Sequence, residues 1–163
     1  MNEKKKMACC GSTLFVSALT VAIGATQIGE KYAHDMIGNF NNYCNAFCDW
    51  NLLLDEVGGP NHVGNYCDAP IMADTQTDEI IVHDSYYYIG HFSKYVQKGA
   101  KRIGHSKWSQ AVETVAFKNP DGNVVAVVLN RTDTDEKFAF RLKGEVIACK
   151  AEAHSIATYI FGE

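Results

Sequence analysis

Five side chains between residues 49 and 65 have the chemistry to bind a neutral sugar. Trp50 offers a flat apolar face on which the C–H side of a sugar ring can stack. Asn51, Asn61 and Asn65 carry amides that both donate and accept hydrogen bonds, and therefore suit hydroxyl groups. Asp49 directly precedes the tryptophan. We predict that these five residues bind a polyol rather than a phosphate or a metal.

A buried strand is predicted to present these residues. Residues 46–51 form a short apolar run, and polar groups at the end of such a strand are where barrel enzymes place their ligand site. A long loop is expected to follow over residues 52–77, turned by Gly58, Gly59 and Pro60. Cys44 and Cys48 are then most simply small buried thiols on that strand.

Two helices and a series of strands surround this stretch. Apolar residues recur at helical spacing over 28–40 and over 86–96, where Ser85 is a suitable N-cap and Gly99 a suitable stop. Period-two patterns then predict strands at 77–83, 102–108, 111–118, 124–130, 137–142, 146–150 and 156–161. The Asn119–Gly122 stretch predicts a hairpin turn, and the uninterrupted apolar run 124–129 predicts a central strand.

The composition excludes several classes of function. The chain has 163 residues, 47% of them apolar, and a net charge of −4, which argues against a nucleic-acid surface. Its six cysteines form no CxxC pair and no zinc-ligand spacing with histidine, so no metal site is predicted. We predict no nucleic-acid partner.

Several ordered stretches of the chain resemble the glucosylceramidase-like β-glycosidases of glycoside hydrolase family 30. They are YAHDMIGNFNN (32–42), DWNLLLDEVGGPNHVGN (49–65), DAPI (68–71), YYYIGHFSKYVQKGAKRIG (86–104), NPDGNVVAVVLNR (119–131) and AHSIATYIF (153–161). The resemblance spans about residues 14 to 161 and concerns only the carboxyl-terminal third of such enzymes. It implies retaining hydrolysis of a β-glucosidic bond, with a β-glucoside or glucosylceramide-like substrate, a place in carbohydrate and sphingolipid metabolism, and no cofactor.

The implied fold is α/β plus β. Because a full (β/α)8 TIM barrel takes about 250 residues, the chain can hold only its last strands and helices, followed by an antiparallel β-sandwich side domain. We place the carboxyl-terminal part of the barrel at residues 29–98 and the β-sandwich at 99–163. The resemblance also places Trp50 and Asn65 at positions that line the family's sugar pocket, flanked by Asp49, Asn51 and Asn61.

The resemblance implies that the catalytic carboxylates are missing. The family's nucleophile is a glutamate in a motif like L-F-x-S/T-E-x-C, and the corresponding position here is Ala18 in Leu14-Phe15-Val16-Ser17-Ala18. The acid/base glutamate would lie upstream of Met1. Asp55 and Glu56 are adjacent and so are unsuited to act as a pair on one bond, and we predict a structural or solvated role for both. His62 either reaches the rim of the site or is bonded inside its loop, the interpretation we favour, and His34 is expected to be solvated or to cap its helix.

Residues 1–28 have three interpretations. Lys4, Lys5 and Lys6 precede an uncharged run, which fits a secretory signal peptide cleaved after Ala25 and hence an extracellular protein. The same run could contact a membrane through residues 7–28 as a short anchor, or could be the remnant of barrel strand 7 in a cytoplasmic protein.

The functional alternatives follow: a truncated glycosidase with little activity alone, a secreted or membrane-tethered sugar-binding module, or one half of a barrel completed by a separately encoded N-terminal fragment. A truncated reading frame with no role also fits the residues.

Overall fold

The computed structural model describes residues 5–7, 15–22, 27–107 and 109–162. Within them the chain forms helices α1 (Gln27–Asn41) and α2 (Asp84–Ser93). The strands are β1 (Lys5–Met7), β2 (Phe15–Ala22), β3 (Leu53–Asp55), β4 (Ile71–Asp74), β5 (Glu79–Val82), β6 (Lys101–Ile103), β7 (Val112–Lys118), β8 (Val124–Asn130), β9 (Glu136–Leu142), β10 (Glu145–Ala151) and β11 (Ser155–Gly162).

An antiparallel six-stranded sheet forms the middle layer, in the order β1-β2-β11-β8-β7-β6. Strand β8 lies in its interior between β11 and β7, as the unbroken apolar run predicted, because both faces of that strand are covered. The predicted hairpin turn joins β7 to β8, where the N–H of Gly122 donates to the carbonyl of Asn119 over 3.0 Å and Gly122 adopts a φ of 90°.

The two helices cover one face of this sheet. Ala33, Met36 and Ile37 of α1 and Phe92 of α2 pack with Val115, Phe117, Val127, Leu129 and Ile156 of the strands. Both predicted helices are confirmed, but α2 begins two residues earlier and ends three residues earlier than expected. Its N-cap position is His83 rather than the predicted Ser85. The N–H of Ser85 instead donates a hydrogen bond to the carboxylate of Asp84. Neither described helix is long and apolar enough to cross a membrane.

The β9–β10 hairpin covers the opposite face of the sheet. Alternation along β9 turns Phe138 and Phe140 inward, where they stack edge-on with Tyr159 and Phe161 of β11 at centroid distances of 5.0 to 5.9 Å. Such aromatic pairs add stability beyond the area that they bury. The sheet and this hairpin form the predicted antiparallel β-sandwich.

Strands β3, β4 and β5, which come between the two helices in the sequence, form a separate three-stranded sheet in that order. Strand β3 is parallel to β4, the pairing expected in a barrel, and β5 is antiparallel to β4. The prediction that residues 52–77 form one uninterrupted loop is therefore wrong, because two short strands interrupt it. Strand β5 confirms the strand predicted at 77–83.

The prediction of a strand at residues 46–51 is also wrong. This segment is irregular and largely exposed, because none of the described strands pairs with it, and a strand without a hydrogen-bonding neighbour has no reason to persist. Cys44 and Cys48 are consequently exposed rather than buried. Strand β6 ends at Ile103, short of the predicted 108, and Trp108 lies outside the described residues.

Strand β2 contains Ala18, the position that the resemblance aligns with the family's nucleophile. It pairs antiparallel with β11, with Ala18 opposite Tyr159, so in this chain the segment extends the large sheet. The proposed cleavage point after Ala25, together with Cys9 and Cys10, lies outside the described residues.

Candidate functional site

A cavity of about 200 Å³ lies over the loop that follows β3. Four of the five predicted sugar-binding residues line it: Trp50, Asn51, Asn61 and Asn65. The indole of Trp50 is 74% exposed, so its face is open to a ligand. The remaining lining residues, which the sequence did not single out as sugar-binding, are Leu54, Gly58, Pro60, His62, Val63 and Cys67.

Asp49, the fifth predicted residue, does not line this cavity. Its carboxylate Oδ1 accepts a hydrogen bond from the N–H of Trp50 over 2.9 Å. Burial, a hydrogen bond to Asp49 and the negative charges of Asp49 and Asp68 together raise the pKa of Tyr32 in helix α1 to about 12. Asp49 thus ties the tryptophan segment to helix α1 and does not line the ligand cavity.

Asp55 organises the turn that carries the rest of the site. Its Oδ1 accepts the N–H of Val57 at 3.1 Å and the N–H of Gly59 at 2.7 Å. Its own N–H donates to the carbonyl of Gly59 over 2.7 Å, and its carbonyl accepts the N–H of Gly58 over 3.0 Å. The carboxylate therefore replaces water as the partner of two backbone donors in a turn whose glycines are buried.

Asn61 contributes to the order of the next turn. Its Oδ1 accepts the N–H of Gly64 over 2.7 Å, while Gly64 takes a φ of 71°. Such a bond between a side chain and the backbone three residues on fixes the amide plane of Asn61. His62 lies in the cavity wall, the alternative that we did not favour from the sequence.

No carboxylate lines the cavity among the residues that the structure describes. Glu56 accepts the N–H and the hydroxyl of Thr75 at 2.9 and 3.0 Å, and the backbone hydrogen bond from Thr75 leads the causes that lower its pKa to about 2. Asp68 lies 3.0 Å from Nδ1 of His83. The predicted structural role of Asp55 and Glu56 is confirmed. His34 is exposed and bonded to Glu113 at 2.6 Å, away from the site.

The three-stranded sheet that precedes helix α2 exposes several apolar side chains. Strand β5 presents Ile80, Ile81 and Val82 to solvent, and Leu53 of β3 and the preceding Leu52 are also exposed. Because β3 and β5 are the edges of the three-stranded sheet, none of the described strands pairs with the outer side of either one. This surface resembles the interior of a larger sheet structure rather than an ordinary solvent-exposed face.

The described residues form two parallel strands, two helices and a sandwich packed against the helices, and they carry an aromatic and amide site. This combination defines the carboxyl-terminal part of a barrel-and-sandwich glycoside hydrolase. The chain belongs to glycosyl hydrolase family 30: residues 5–96 match the family's TIM-barrel domain and residues 99–159 its beta sandwich domain.

Individual relatives agree with this assignment. The chain is 39% identical over 129 residues to the lysosomal acid glucosylceramidase of Mus musculus, covering 78% of this chain and 25% of that protein. The crystal structure of SrfJ from Salmonella typhimurium superposes with a TM-score of 0.80 and 40% identity, over 88% of this chain and 33% of that one. An endo-β-1,6-glucanase superposes with a TM-score of 0.75 and 27% identity, over 84% and 31%. The chain therefore spans between a quarter and a third of the length of these relatives.

Proposed function

We propose that this chain carries the sugar-facing rim of a glucosylceramidase-like β-glycosidase and hydrolyses little or no substrate by itself. The observation that carries the proposal is the cavity, whose walls hold an exposed indole and three asparagines but no carboxylate among the described residues. An indole and amides bind a sugar through stacking and hydroxyl hydrogen bonds, whereas cleavage needs more.

Retaining hydrolysis requires two carboxyl groups about 5 Å apart, one as nucleophile and one as acid and base. The nucleophile position corresponds to Ala18, whose methyl group can neither attack an anomeric carbon nor carry charge. The carboxylates nearest in sequence to the cavity, those of Asp49, Asp55, Glu56 and Asp68, are each engaged in a structural contact. Losing a nucleophile costs many orders of magnitude in rate, so binding is the activity that remains.

The proposed ligand is a β-glucoside or a glucosylceramide-like lipid. Support comes from the relative named as a lysosomal acid glucosylceramidase, which shares 39% identity with the chain. A role in sphingolipid metabolism is part of this proposal. The exposed apolar residues Leu52, Val57 and Val63 near the cavity are suited to an apolar aglycone.

Tryptophan fluorescence tests binding directly. Replacing Trp108 by phenylalanine leaves Trp50 as the sole reporter, and octyl β-D-glucoside below its micellar concentration should then change the emission saturably. Octyl β-D-galactoside should bind more weakly, because the amides read the position of the hydroxyls. A spectrum that does not respond to the glucoside would rule out the binding role. Measurable hydrolysis of an aryl β-glucoside by the purified chain, lost in Trp50→Ala, would contradict the proposed inactivity.

A second candidate role is that of one half of a barrel completed by a separately encoded N-terminal fragment. The exposed edge strands β3 and β5, with their apolar residues, favour it, because such edges aggregate unless another strand covers them. Light scattering after size exclusion distinguishes the cases. Self-association or dye binding by the chain alone would support a missing partner, and a compact monomer with one cooperative unfolding transition would remove the reason for it.

The third candidate, a secreted or membrane-tethered binding module, depends on residues 1–25. Cleavage there would free a sugar-binding chain outside the cell, and retention of the segment would leave a tether. Mass spectrometry of the natural amino terminus separates these outcomes. A new terminus after Ala25 supports export, and an intact Met1 in a cytoplasmic fraction contradicts it.

A further inference from the structure

The carboxylate of Asp55 closes the turn beside the sugar cavity without lining it. Oδ1 accepts both the N–H of Val57 and the N–H of Gly59, while the main chains of residues 55 and 59 are joined by a 2.7 Å hydrogen bond. The turn is therefore fixed through a side chain and through the backbone together. Asp55 is itself only partly exposed, at the end of strand β3.

Two glycines make this turn sensitive to small movements. A Cβ on Gly58 would lie 2.4 Å from the carbonyl oxygen of Cys67, and Gly58 has a φ of 82°. A Cβ on Gly59 would lie 3.1 Å from Oδ2 of Asp55. Hence Gly59 lies close to the carboxylate of Asp55, and Gly58 lies close to the backbone of Cys67 near the end of the loop.

The sugar-facing amides lie within the loop that these contacts close. Asn61 follows Gly59 by two residues, Asn65 precedes Cys67 by two, and both line the same cavity as Trp50. A shift of the turn would change the distance between the indole and the amides, and hence the width available to a sugar ring. Misplacement by about 1 Å is enough to impair a preorganised site.

We propose that Asp55 is a positioning residue of the sugar site: its carboxylate fixes the turn at residues 57–59 and thereby sets the separation between Trp50 and the amides of Asn61 and Asn65. The inference rests on the proposed sugar-binding function. Asp55 makes no contact with the ligand, so its effect is on the occupancy of the site and not on any bond to the sugar.

The neighbouring carboxylate provides a matched control. Glu56 is adjacent in sequence and equally charged, but it bonds to Thr75 and Gln76 in the turn between β4 and β5 rather than to the sugar loop. Asp55→Asn retains an oxygen that can accept both N–H groups and removes the charge, whereas Asp55→Ala removes the acceptor. The three variants thus separate the hydrogen bonds from the charge.

The test measures octyl β-D-glucoside binding by Trp50 fluorescence in the Trp108→Phe background. Asp55→Ala is expected to weaken binding by about tenfold or more, Asp55→Asn by less than about threefold, and Glu56→Gln not at all, in line with the loss of two hydrogen bonds near a preorganised site. Hydrogen exchange of the backbone amides at residues 57–67 should accelerate in Asp55→Ala and stay unchanged in Glu56→Gln.

The outcomes separate the two proposals. A parent chain that binds no glucoside overturns the proposed function and this inference with it. A parent chain that binds, with Asp55→Ala binding equally well or with unchanged amide exchange in the loop, overturns the inference alone. If Asp55→Ala does not fold, Asp55→Glu decides, because its longer side chain keeps the charge but moves the acceptor, and unaltered affinity in it would reject the positioning role.

Discussion

Nδ1 of His91 lies 2.8 Å from the hydroxyl oxygen of Thr158, joining helix α2 to strand β11 inside the protein. The same hydroxyl oxygen also lies 3.3 Å from the carbonyl oxygen of His91, so it contacts both the side chain and the backbone of this residue. His91 is therefore fixed by a buried side-chain contact in the layer between the helices and the sheet.

This arrangement predicts a loss of stability in mild acid. Burial lowers the pKa of His91 to about 4 from 6.5. Between pH 6.5 and 4 His91 is protonated in the unfolded chain but stays neutral in the folded chain. The free energy of unfolding should therefore fall as the pH drops from 6.5 to 4, by about 3 kcal/mol in total. Urea denaturation of the chain and of His91→Gln at several pH values measures this. An equally steep fall in the variant would contradict it.

The ion pairs of His154 predict the opposite dependence of stability on pH. Its Nε2 lies 2.8 Å from Asp133 and its Nδ1 2.8 Å from Glu30, and hydrogen bonds to Asp133 and then to Glu30 raise its pKa. The stabilisation is complete below pH 6.5 and is lost as pH rises through the raised pKa. We expect His154→Gln to lower the melting temperature at pH 6 and to have little effect at pH 9. His105→Gln, which removes a single bond to Thr114, serves as a control.

Two glycines of helix α1 should respond oppositely to alanine. At Gly29 a Cβ would lie 2.5 Å from the ring of Tyr88 and 2.8 Å from the carboxylate of Asp84, so the helices would have to separate. At Gly38 no atom lies within 4 Å of the added carbon. Gly29→Ala should therefore destabilise the chain, and Gly38→Ala should stabilise it by up to about 1 kcal/mol through helix propensity. Thermal unfolding of both variants tests the contrast, which equal shifts of the same sign would refute.

Asn130-Arg131-Thr132 has the Asn-x-Ser/Thr pattern of a glycosylation sequon, and we predict that Asn130 stays unmodified. Asn130 is fully buried, its amide donates to the carbonyls of Thr134, Ala151 and Glu152, and its oxygen accepts from Thr132. Asn130→Ala should cost more than about 2 kcal/mol of unfolding free energy, because these buried groups lose their partners. Asn123→Ala, in an exposed turn, should cost less. A glycan found at Asn130 by intact mass after secretion from a eukaryotic host would refute the prediction.

The sequence predicts the strands of the sandwich well because their signals are local. In β8 the apolar run and the preceding turn at Asn119–Gly122 specify both ends, and in β9 the alternation of Phe138 and Phe140 fixes which side faces inward. The helical spacing of α1 similarly predicts its buried face. None of these inferences requires knowing which strand lies next to which.

Residues 46–51 show where local signals fail. Their composition suits a buried strand, but a strand forms only when a neighbour accepts its hydrogen bonds, and none of the described strands does so. The sequence also did not show which part of the loop Asp55 contacts. Adjacent carboxylates could be identified as unsuited to catalysis, yet the direction in which each side chain turns depends on the conformation of the Gly58–Gly59 turn. That four of five predicted residues line one cavity follows from their nearness in sequence, within one loop.

The position of β11 between β2 and β8 bears on how the chain is made. The strand synthesised last among the described elements occupies the middle of the large sheet and pairs with one partner more than a hundred residues upstream. On a ribosome, β7 and β8 can form their hairpin early, but Phe138 and Phe140 of β9 lack their aromatic partners Tyr159 and Phe161 until residues 155–162 emerge. The large sheet can therefore be completed only after residues 155–162 have been translated, because β11 joins β2 to β8.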